Sequence, residues 1–197
     1  MDKRQGIIHA AIAVFSEKGV ARATVADIVA RAGIAQGTFY LYFPSKLEVM
    51  GGIAEHLVAR MLAHLQQRLD GLSVADRLDG LPAALFEVVG QNRELATLLY
   101  AGMAQSPQMR RWEQIYQPIY AWLENSLIQA REQGLVRAGL EPALCARIVL
   151  GTVEAAAEQV HLYADTDSHQ AAAHQRELET FLHHALGRAC VLDTEVC

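Results

Sequence analysis

Apolar residues recur at helical spacing along almost all of this 197-residue chain. In the first segment, Ile8, Ile12 and Phe15 fall on one face of a helix. We find no stretch with the apolar–polar alternation that indicates a half-buried strand. Hydrophobic residues make up 52% of the chain, which is ample for a buried core. The pattern therefore predicts an all-α fold.

Helix start and stop signals divide this pattern into segments. Thr24 and Asp27 have the spacing of a short capping box, and Gly33 suits the left-handed turn that ends a helix. Ser45 and Glu48 mark the start of another helix. The predicted helices cover about 3–18, 24–32, 35–42, 46–69, 74–90, 92–105, 107–133, 142–163 and 168–189.

The net charge of −5 is unevenly distributed along the chain. Residues 1–50 contain six basic and four acidic residues, a net +2, whereas the remainder carries eleven basic and eighteen acidic residues, a net −7. Phosphate responds to local charge, so the asymmetry favours a nucleic-acid role for the N-terminal segment. No apolar run of membrane-spanning length, no signal-peptide pattern and no C-x-x-C motif occurs. We therefore expect a cytoplasmic protein without a membrane partner.

The most informative stretch runs from Thr24 to Lys46 and reads as helix, three-residue turn, helix. Its second helix has a dense set of hydrogen-bonding side chains. A Gln amide can pair with the adenine edge and a Thr methyl can contact thymine, while Tyr and Lys can bind phosphates. The candidate DNA-binding residues are Thr24, Gln36, Gly37, Thr38, Tyr40, Tyr42 and Lys46. Ordinary packing is the alternative for each of them taken singly.

This stretch closely resembles the DNA-binding domain of the tetracycline-repressor (TetR) family, from about Ile7 to Leu47. The run QGTFYLYFPSK, residues 36–46, is its most specific part. The resemblance implies a three-helix helix-turn-helix domain over 1–46, a larger helical ligand-binding and dimerisation domain over 47–190, and a tail over 191–197. It also implies a homodimer on a near-palindromic double-stranded DNA operator, contacted by the seven candidate residues.

The chain departs from the family pattern at its N-terminus, where Lys3 and Arg4 are the only basic residues ahead of the apolar stripe of the first predicted helix. A long basic arm for the minor groove is therefore not expected. DNA affinity should rest mainly on the element that enters the major groove.

The region 99–124 is rich in aromatic residues. Trp112, Tyr116 and Tyr120 follow one another at one-turn intervals and share a helix face. Such side chains line pockets for mostly apolar ligands, although core and surface packing is their commoner role. The candidate effector-pocket residues are Tyr100, Met103, Trp112, Tyr116, Tyr120 and Glu154. The effector is unidentified; an apolar or acyl-type molecule is the expectation, since a subset of the family senses fatty acyl-CoA.

The last two predicted helices are candidates for the dimer interface. Small residues, Gly151 and Ala155 among them, permit close helix approach on the first. Leu178, Phe181 and Leu182 form an apolar stripe on the second. Paired across a two-fold axis, these faces would form a four-helix bundle. Packing of the same faces within one chain is the alternative.

Catalytic and metal-binding patterns are weak. Glu158 and His161 have the E-x-x-H spacing of di-iron bundles, but no second copy occurs. H-E-x-x-H, P-loop and G-x-S-x-G motifs are absent. We therefore predict a ligand-responsive repressor with no catalytic residue, cofactor or metal. The alternative is a helical-bundle enzyme or metal-binding protein whose N-terminal helices serve only in packing.

Overall fold

The computed structural model describes residues 2–103, 109–163 and 168–187. Within these ranges the regular structure is helical, which confirms the predicted all-α class. The helices are α1 Lys3–Lys18, α2 Val25–Ala32, α3 Gln36–Tyr42, α4 Lys46–Leu69, α5 Val74–Gln91, α6 Arg93–Met103, α7 Met109–Glu132, α8 Pro142–Glu158 and α9 Ser168–Leu186. Their ends lie within two residues of the predicted ends wherever both are described, except at the end of α8.

The segment 142–163 differs from the single helix expected there. The α-helix ends at Glu158, and a π-helical turn continues it over Gln159–Tyr163. Apolar periodicity does not separate these two forms, because they differ by one residue in the hydrogen-bond spacing. Two prolines, Pro82 and Pro118, lie inside α5 and α7, where proline ordinarily interrupts a helix. The predicted helix ends at 104–108 and 188–189 lie outside the described residues.

The chain divides into two compact units, and the division does not follow the predicted boundary at residue 46. Unit 1 comprises Met1–Arg60 and Asn92–Tyr116, and unit 2 comprises Met61–Gln91 and Gln117–Cys197. In unit 1, α1 contacts α2 and also α6. Its core includes Ile8, Phe15, Ile28, Phe39 and Ile53, each at most 1% exposed.

In unit 2, helices α5, α8 and α9 pack against one another. The backbone N–H of Arg137 donates to the carbonyl of Leu186 at 2.9 Å and holds the end of α9 beside the loop that precedes α8. Leu85, Leu123 and Leu127 are fully buried there. None of the helices in the described ranges is both long and apolar enough to cross a bilayer.

Candidate nucleic-acid interface

Helix α2 begins with the capping box that the sequence predicted. The Thr24 hydroxyl accepts from the Asp27 backbone N–H at 3.2 Å, and the Asp27 carboxylate accepts from the Thr24 backbone N–H at 2.9 Å. The Lys18 ammonium donates to the same carboxylate at 2.6 Å. The bond from Lys18, followed by those that the Thr24 hydroxyl (2.8 Å) and the Thr24 backbone N–H donate to the carboxylate, lowers the pKa of Asp27 to about 2. Thr24 therefore fixes the start of α2 and remains exposed at its N-terminus.

Gly33 makes the turn between α2 and α3 with φ 65° and ψ 35°. This left-handed conformation is costly for residues with a Cβ. The next N–H, that of Ile34, donates to the Val29 carbonyl at 3.1 Å and closes the turn. The turn sets the direction in which α3 leaves α2.

One aromatic residue anchors α3, and the rest of the helix faces outward. Phe39 is completely buried, and its ring lies 6.0 Å from that of Phe43, which follows the helix. Five predicted contact residues lie on this short element: Gln36, Gly37, Tyr40 and Tyr42 are exposed, and Thr38 is half-buried. The structure therefore brings together most of the predicted DNA-binding set. It also exposes Leu41, which the sequence analysis did not include, to 82%.

Lys46 is engaged by the protein itself. Its ammonium donates to the backbone carbonyls of Val20 at 2.8 Å, Ala23 at 2.9 Å and Ala21 at 3.3 Å. These carbonyls belong to the loop between α1 and α2, so the first residue of α4 is bonded to that loop. The sequence assigned Lys46 to a phosphate, but this geometry indicates a positioning role.

The positive charge of residues 1–50 is largely matched within the protein. Arg4 pairs with Glu55, Arg31 with Glu17 and Lys18 with Asp27. Arg22 donates to the Lys18 carbonyl at 3.0 Å. Most basic side chains of residues 1–50 therefore already have a bonding partner within the protein. Lys3 and Arg4 also lie in the first turn of α1, which Asp2 caps and which begins at the predicted residue.

An ionic chain joins three helices of unit 1. Arg4 of α1 pairs with Glu55 of α4, and Arg111 of α7 pairs with Glu48 of α4. Arg111 also lies 3.7 Å from Glu55, so the four side chains are continuous. The sequence had suggested Glu48 only as part of a helix start. The backbone N–H of Glu48 does donate to the Ser45 hydroxyl at 3.3 Å. The Glu48 carboxylate, however, binds Arg111, which lies 63 positions later in the chain.

Two adjacent glycines make room for these contacts inside α4. A Cβ at Gly51 would lie 2.8 Å from Cζ of Arg111. A Cβ at Gly52 would lie 2.9 Å from Cε1 of Phe43 and 3.3 Å from Cδ1 of Ile8. Because glycine weakens a helix interior by ~1 kcal/mol relative to alanine, this pair is explained by tertiary contact and not by helix formation.

We expect Gly52→Ala to lower the free energy of unfolding by ~1–3 kcal/mol, since the added methyl overlaps the buried Phe43 ring. Gly6→Ala in α1 is the matched control, because a Cβ there meets nothing within 4 Å. The control should be neutral or slightly stabilising. Urea unfolding of the two variants measures the difference, and equal midpoints would contradict the packing explanation.

Comparison with known proteins decides the family. The family model for the N-terminal domain of the tetR family of bacterial regulatory proteins matches residues 7–51. The model for tetracyclin repressor-like C-terminal domains matches residues 78–186, more than half of the chain. The chain belongs to the TetR family.

Two curated proteins and one solved structure are similar to this chain over most of its length. The uncharacterized HTH-type transcriptional regulator YvdT of Bacillus subtilis is 38% identical, covering 95% of this chain and 96% of the relative. The fatty acid metabolism regulator protein of B. subtilis is 24% identical, over 77% and 80% of the two chains. The structure of the fatty acid degradation regulator FadR from Bacillus halodurans superposes with a TM-score of 0.76 at 22% identity, covering 96% and 98%. Helices α2 and α3, which α1 supports, are therefore the helix-turn-helix of a TetR-family protein.

Outside the TetR helix-turn-helix, the predicted effector residues are divided between the units. Tyr100, Met103, Trp112 and Tyr116 belong to unit 1, and Tyr120 and Glu154 belong to unit 2. The side chains of Tyr100 and Met103 lie outside the described residues. Trp112 and Tyr116 are half-buried, and the Tyr120 ring lies 4.7 Å from the Arg147 guanidinium carbon. The effector pocket stays a prediction.

A small crevice in unit 2 is lined by other residues. Leu78, Leu123, Val149 and Leu182 form its apolar wall, and His183 also lines it. The imidazole of His183 pairs with Asp79 at 2.9 Å. The space inside is close to that of one water molecule, so this crevice does not match a drug-sized effector.

The predicted dimer-interface residues fall into two groups. Gly151, Ala155 and Phe181 are exposed, the last to 55%. Leu178 and Leu182 are 7% and 6% exposed and belong to the core of unit 2. These two leucines pack within the chain because α9 also contacts α5 and α8, as in the alternative that the sequence left open.

The residues of the E-x-x-H spacing also lie in unit 2. Burial raises the pKa of Glu158, and the His161 ring packs edge-on against Phe86 with 6.0 Å between centroids. Among the residues that the structure describes, no three metal-binding side chains are gathered closely enough to hold an ion.

Proposed function

We propose that this TetR-family protein is a repressor that binds double-stranded DNA through α3 as a homodimer and is released by a small, mostly apolar effector. The observation that carries the proposal is the outward face of α3. Within a helix-turn-helix of assigned family, this seven-residue helix buries one side chain and presents polar and apolar groups to the outside. Relatives named as HTH-type transcriptional repressors support the sign of regulation.

The predicted contact residues divide into those that can recognise base edges and those that can bind phosphates and so position the protein on the DNA. Gln36 and Thr38 have the chemistry to address base edges in the major groove. The hydroxyls of Tyr40 and Tyr42 can donate to phosphates. The Thr24 hydroxyl and the backbone N–H groups at the N-terminus of α2 can do the same. Because the basic side chains of this region are mostly paired, we infer that neutral donors supply much of the binding energy.

Selection of operators from a random duplex pool tests the proposed DNA-binding function. If the selection enriches no sequence, the proposal is contradicted.

Gly37→Ala separates DNA binding from folding. A Cβ at Gly37 meets nothing within 4 Å in the free protein, so the variant should fold and melt normally. On DNA the added methyl would stand between α3 and the groove, and affinity for every sequence should fall at least about tenfold, or ~1.4 kcal/mol. Fluorescence anisotropy with operator and scrambled duplexes measures this loss. An unchanged affinity would exclude close approach of this part of α3.

The homodimer is supported by an exposed apolar stripe on α8. Leu144 and Ile148 are 61% and 65% exposed, and Gly151 and Ala155 continue the same face. Phe181 adds an exposed ring on α9. Large apolar side chains that share one exposed face are typical of a protein–protein interface. We infer that a second copy of the chain covers this stripe.

An acyl-type effector is supported by the relatives. The transcriptional regulator FadR from B. subtilis, whose structure was solved in complex with stearoyl-CoA, has a similar fold. Its TM-score is 0.74 at 20% identity, over 90% of this chain and 96% of that one. Aromatic side chains of the kind predicted for the effector pocket suit an apolar chain. The acyl class is therefore the first to test.

The effector proposal predicts linked changes in stability and DNA binding. Stearoyl-CoA should raise the melting temperature of the free protein and weaken operator binding about 5- to 150-fold, the usual range of allosteric coupling. Operator DNA must then weaken stearoyl-CoA binding by the same factor. Coenzyme A without an acyl chain is the control. An acyl-CoA series that leaves both melting temperature and operator affinity unchanged would contradict this effector class.

A further inference from the structure

The most exposed large apolar side chain in the described part of the chain is Leu41, at 82%. It lies on α3, the helix that the proposed function places against DNA. Single exposed leucines are common on protein surfaces and by themselves indicate nothing. The position of this one on its helix is what distinguishes it.

Helical geometry places Leu41 at the centre of the outward face. Successive residues of an α-helix are rotated by about 100°. Measured from the buried Phe39, Leu41 lies at about 200° and Gly37 at about 160°, whereas Gln36 lies at only about 60°. Leu41 therefore points almost directly away from the core, and Gln36 points toward the edge of the exposed face.

The neighbours of Leu41 leave its side chain projecting. Gly37, one turn earlier on the same face, has no side chain, and a Cβ there would meet nothing within 4 Å. The four-carbon side chain of Leu41 therefore projects from the middle of the exposed helix face, next to the position where Gly37 has no side chain. A helix that docked by phosphate contacts alone would not require an apolar group at this point.

Thymine is the partner that fits this chemistry. Of the base-pair edges in the major groove, only that of thymine carries a methyl group, and apolar side chains recognise it by contact. Leucine has no hydrogen-bonding atom in its side chain, so it cannot read the donors and acceptors of the other bases. We propose that Leu41 is a specificity-determining residue that packs on the C5-methyl of a thymine at a fixed operator position. This inference rests on the proposed DNA-binding function.

The test removes the thymine methyl and the leucine separately and together. An operator is first selected with the unchanged protein, and each of its thymines is then replaced by deoxyuridine, which lacks only the C5-methyl. At one thymine per half-site, we expect the unchanged protein to bind about fourfold to tenfold more weakly, the effect of one lost apolar contact. Leu41→Ala should bind the original operator at least about tenfold more weakly and should be insensitive to deoxyuridine at that same position.

Leu72→Ala is the matched control, because Leu72 is 44% exposed and lies between α4 and α5, away from the helix-turn-helix. Its deoxyuridine profile should be that of the unchanged protein. Since the Leu41 side chain is largely in water, Leu41→Ala should keep the circular dichroism spectrum and melting temperature, which excludes misfolding as the cause of weak binding.

Three results would overturn the inference. If Leu41→Ala binds the operator with unchanged affinity, Leu41 makes no energetically important contact with DNA. If both proteins lose the same affinity when deoxyuridine replaces thymine at each position, another residue contacts the thymine methyl. Failure of the unchanged protein to enrich any sequence would instead reject the proposed DNA-binding function and this inference with it. The inference is supported if deoxyuridine at one thymine of the operator weakens binding of the unchanged protein but does not weaken binding of Leu41→Ala.

Discussion

Ala155→Arg is expected to convert the protein from a dimer into a monomer of 21.6 kDa at micromolar concentration. Ala155 is exposed on α8 in the same stripe as Ile148, so a second copy seated on the stripe would bury the new guanidinium. An unpaired buried charge costs ~3–5 kcal/mol. The dimer dissociation constant should therefore rise by about two to four orders of magnitude.

Sedimentation velocity of the full chain measures this change, with Ala121→Arg as the matched control. Ala121 is an exposed alanine on α7 of the same unit, and its replacement adds the same charge outside the stripe. Operator binding should weaken together with dimerisation, because two α3 helices must enter successive major grooves ~34 Å apart. A monomeric unchanged protein, or a variant that dimerises normally, would contradict the α8 interface.

Lys46→Met is expected to lower the stability of the free protein. Methionine retains most of the apolar stem but removes the ammonium, which leaves the carbonyls of Val20, Ala21 and Ala23 without this donor. Hydrogen bonds to charged groups contribute ~1.5–3 kcal/mol each, although the three share one ammonium. We expect a loss of ~2–3 kcal/mol and a melting temperature lower by roughly 5–10 °C.

Thermal unfolding without DNA separates this positioning role from a phosphate contact. Lys3→Met is the control, since it removes the same charge from an exposed residue in the first turn of α1. A purely phosphate-binding lysine predicts normal melting and weaker binding to all sequences. If Lys46→Met melts like the unchanged protein and only its DNA affinity falls, the phosphate assignment made from the sequence is the correct one.

The effector residues show the limit of a sequence-based prediction in a different way. Helical spacing places Trp112, Tyr116 and Tyr120 on one face of α7. The compact units divide them, with Tyr116 in unit 1 and Tyr120 in unit 2. Spacing along one helix does not specify which other helices line the opposite side of a pocket. Ligand binding, and not periodicity, has to test this site.

The sequence alone determined the helices and the helix-turn-helix, because the interactions that define them are local. The Thr24–Asp27 capping box and the Gly33 turn each involve residues fewer than six positions apart. The run of residues 36–46 was specific enough to indicate the family before any fold was known. Even the place of Leu41 follows from its position two residues after Phe39, once Phe39 is known to be buried.

Tertiary structure alone decided which partner each long side chain takes. The ammonium of Lys46 donates to carbonyls that lie 23 to 26 residues earlier in the chain. The carboxylate of Glu48 pairs with Arg111, which lies 63 residues later. It also decided that Leu182 is buried while neighbouring Phe181 is exposed, since α9 packs one face against α5 and α8. An amphipathic pattern specifies that a face is buried, but the burying surface comes from residues distant in the chain, so only the folded structure supplies it.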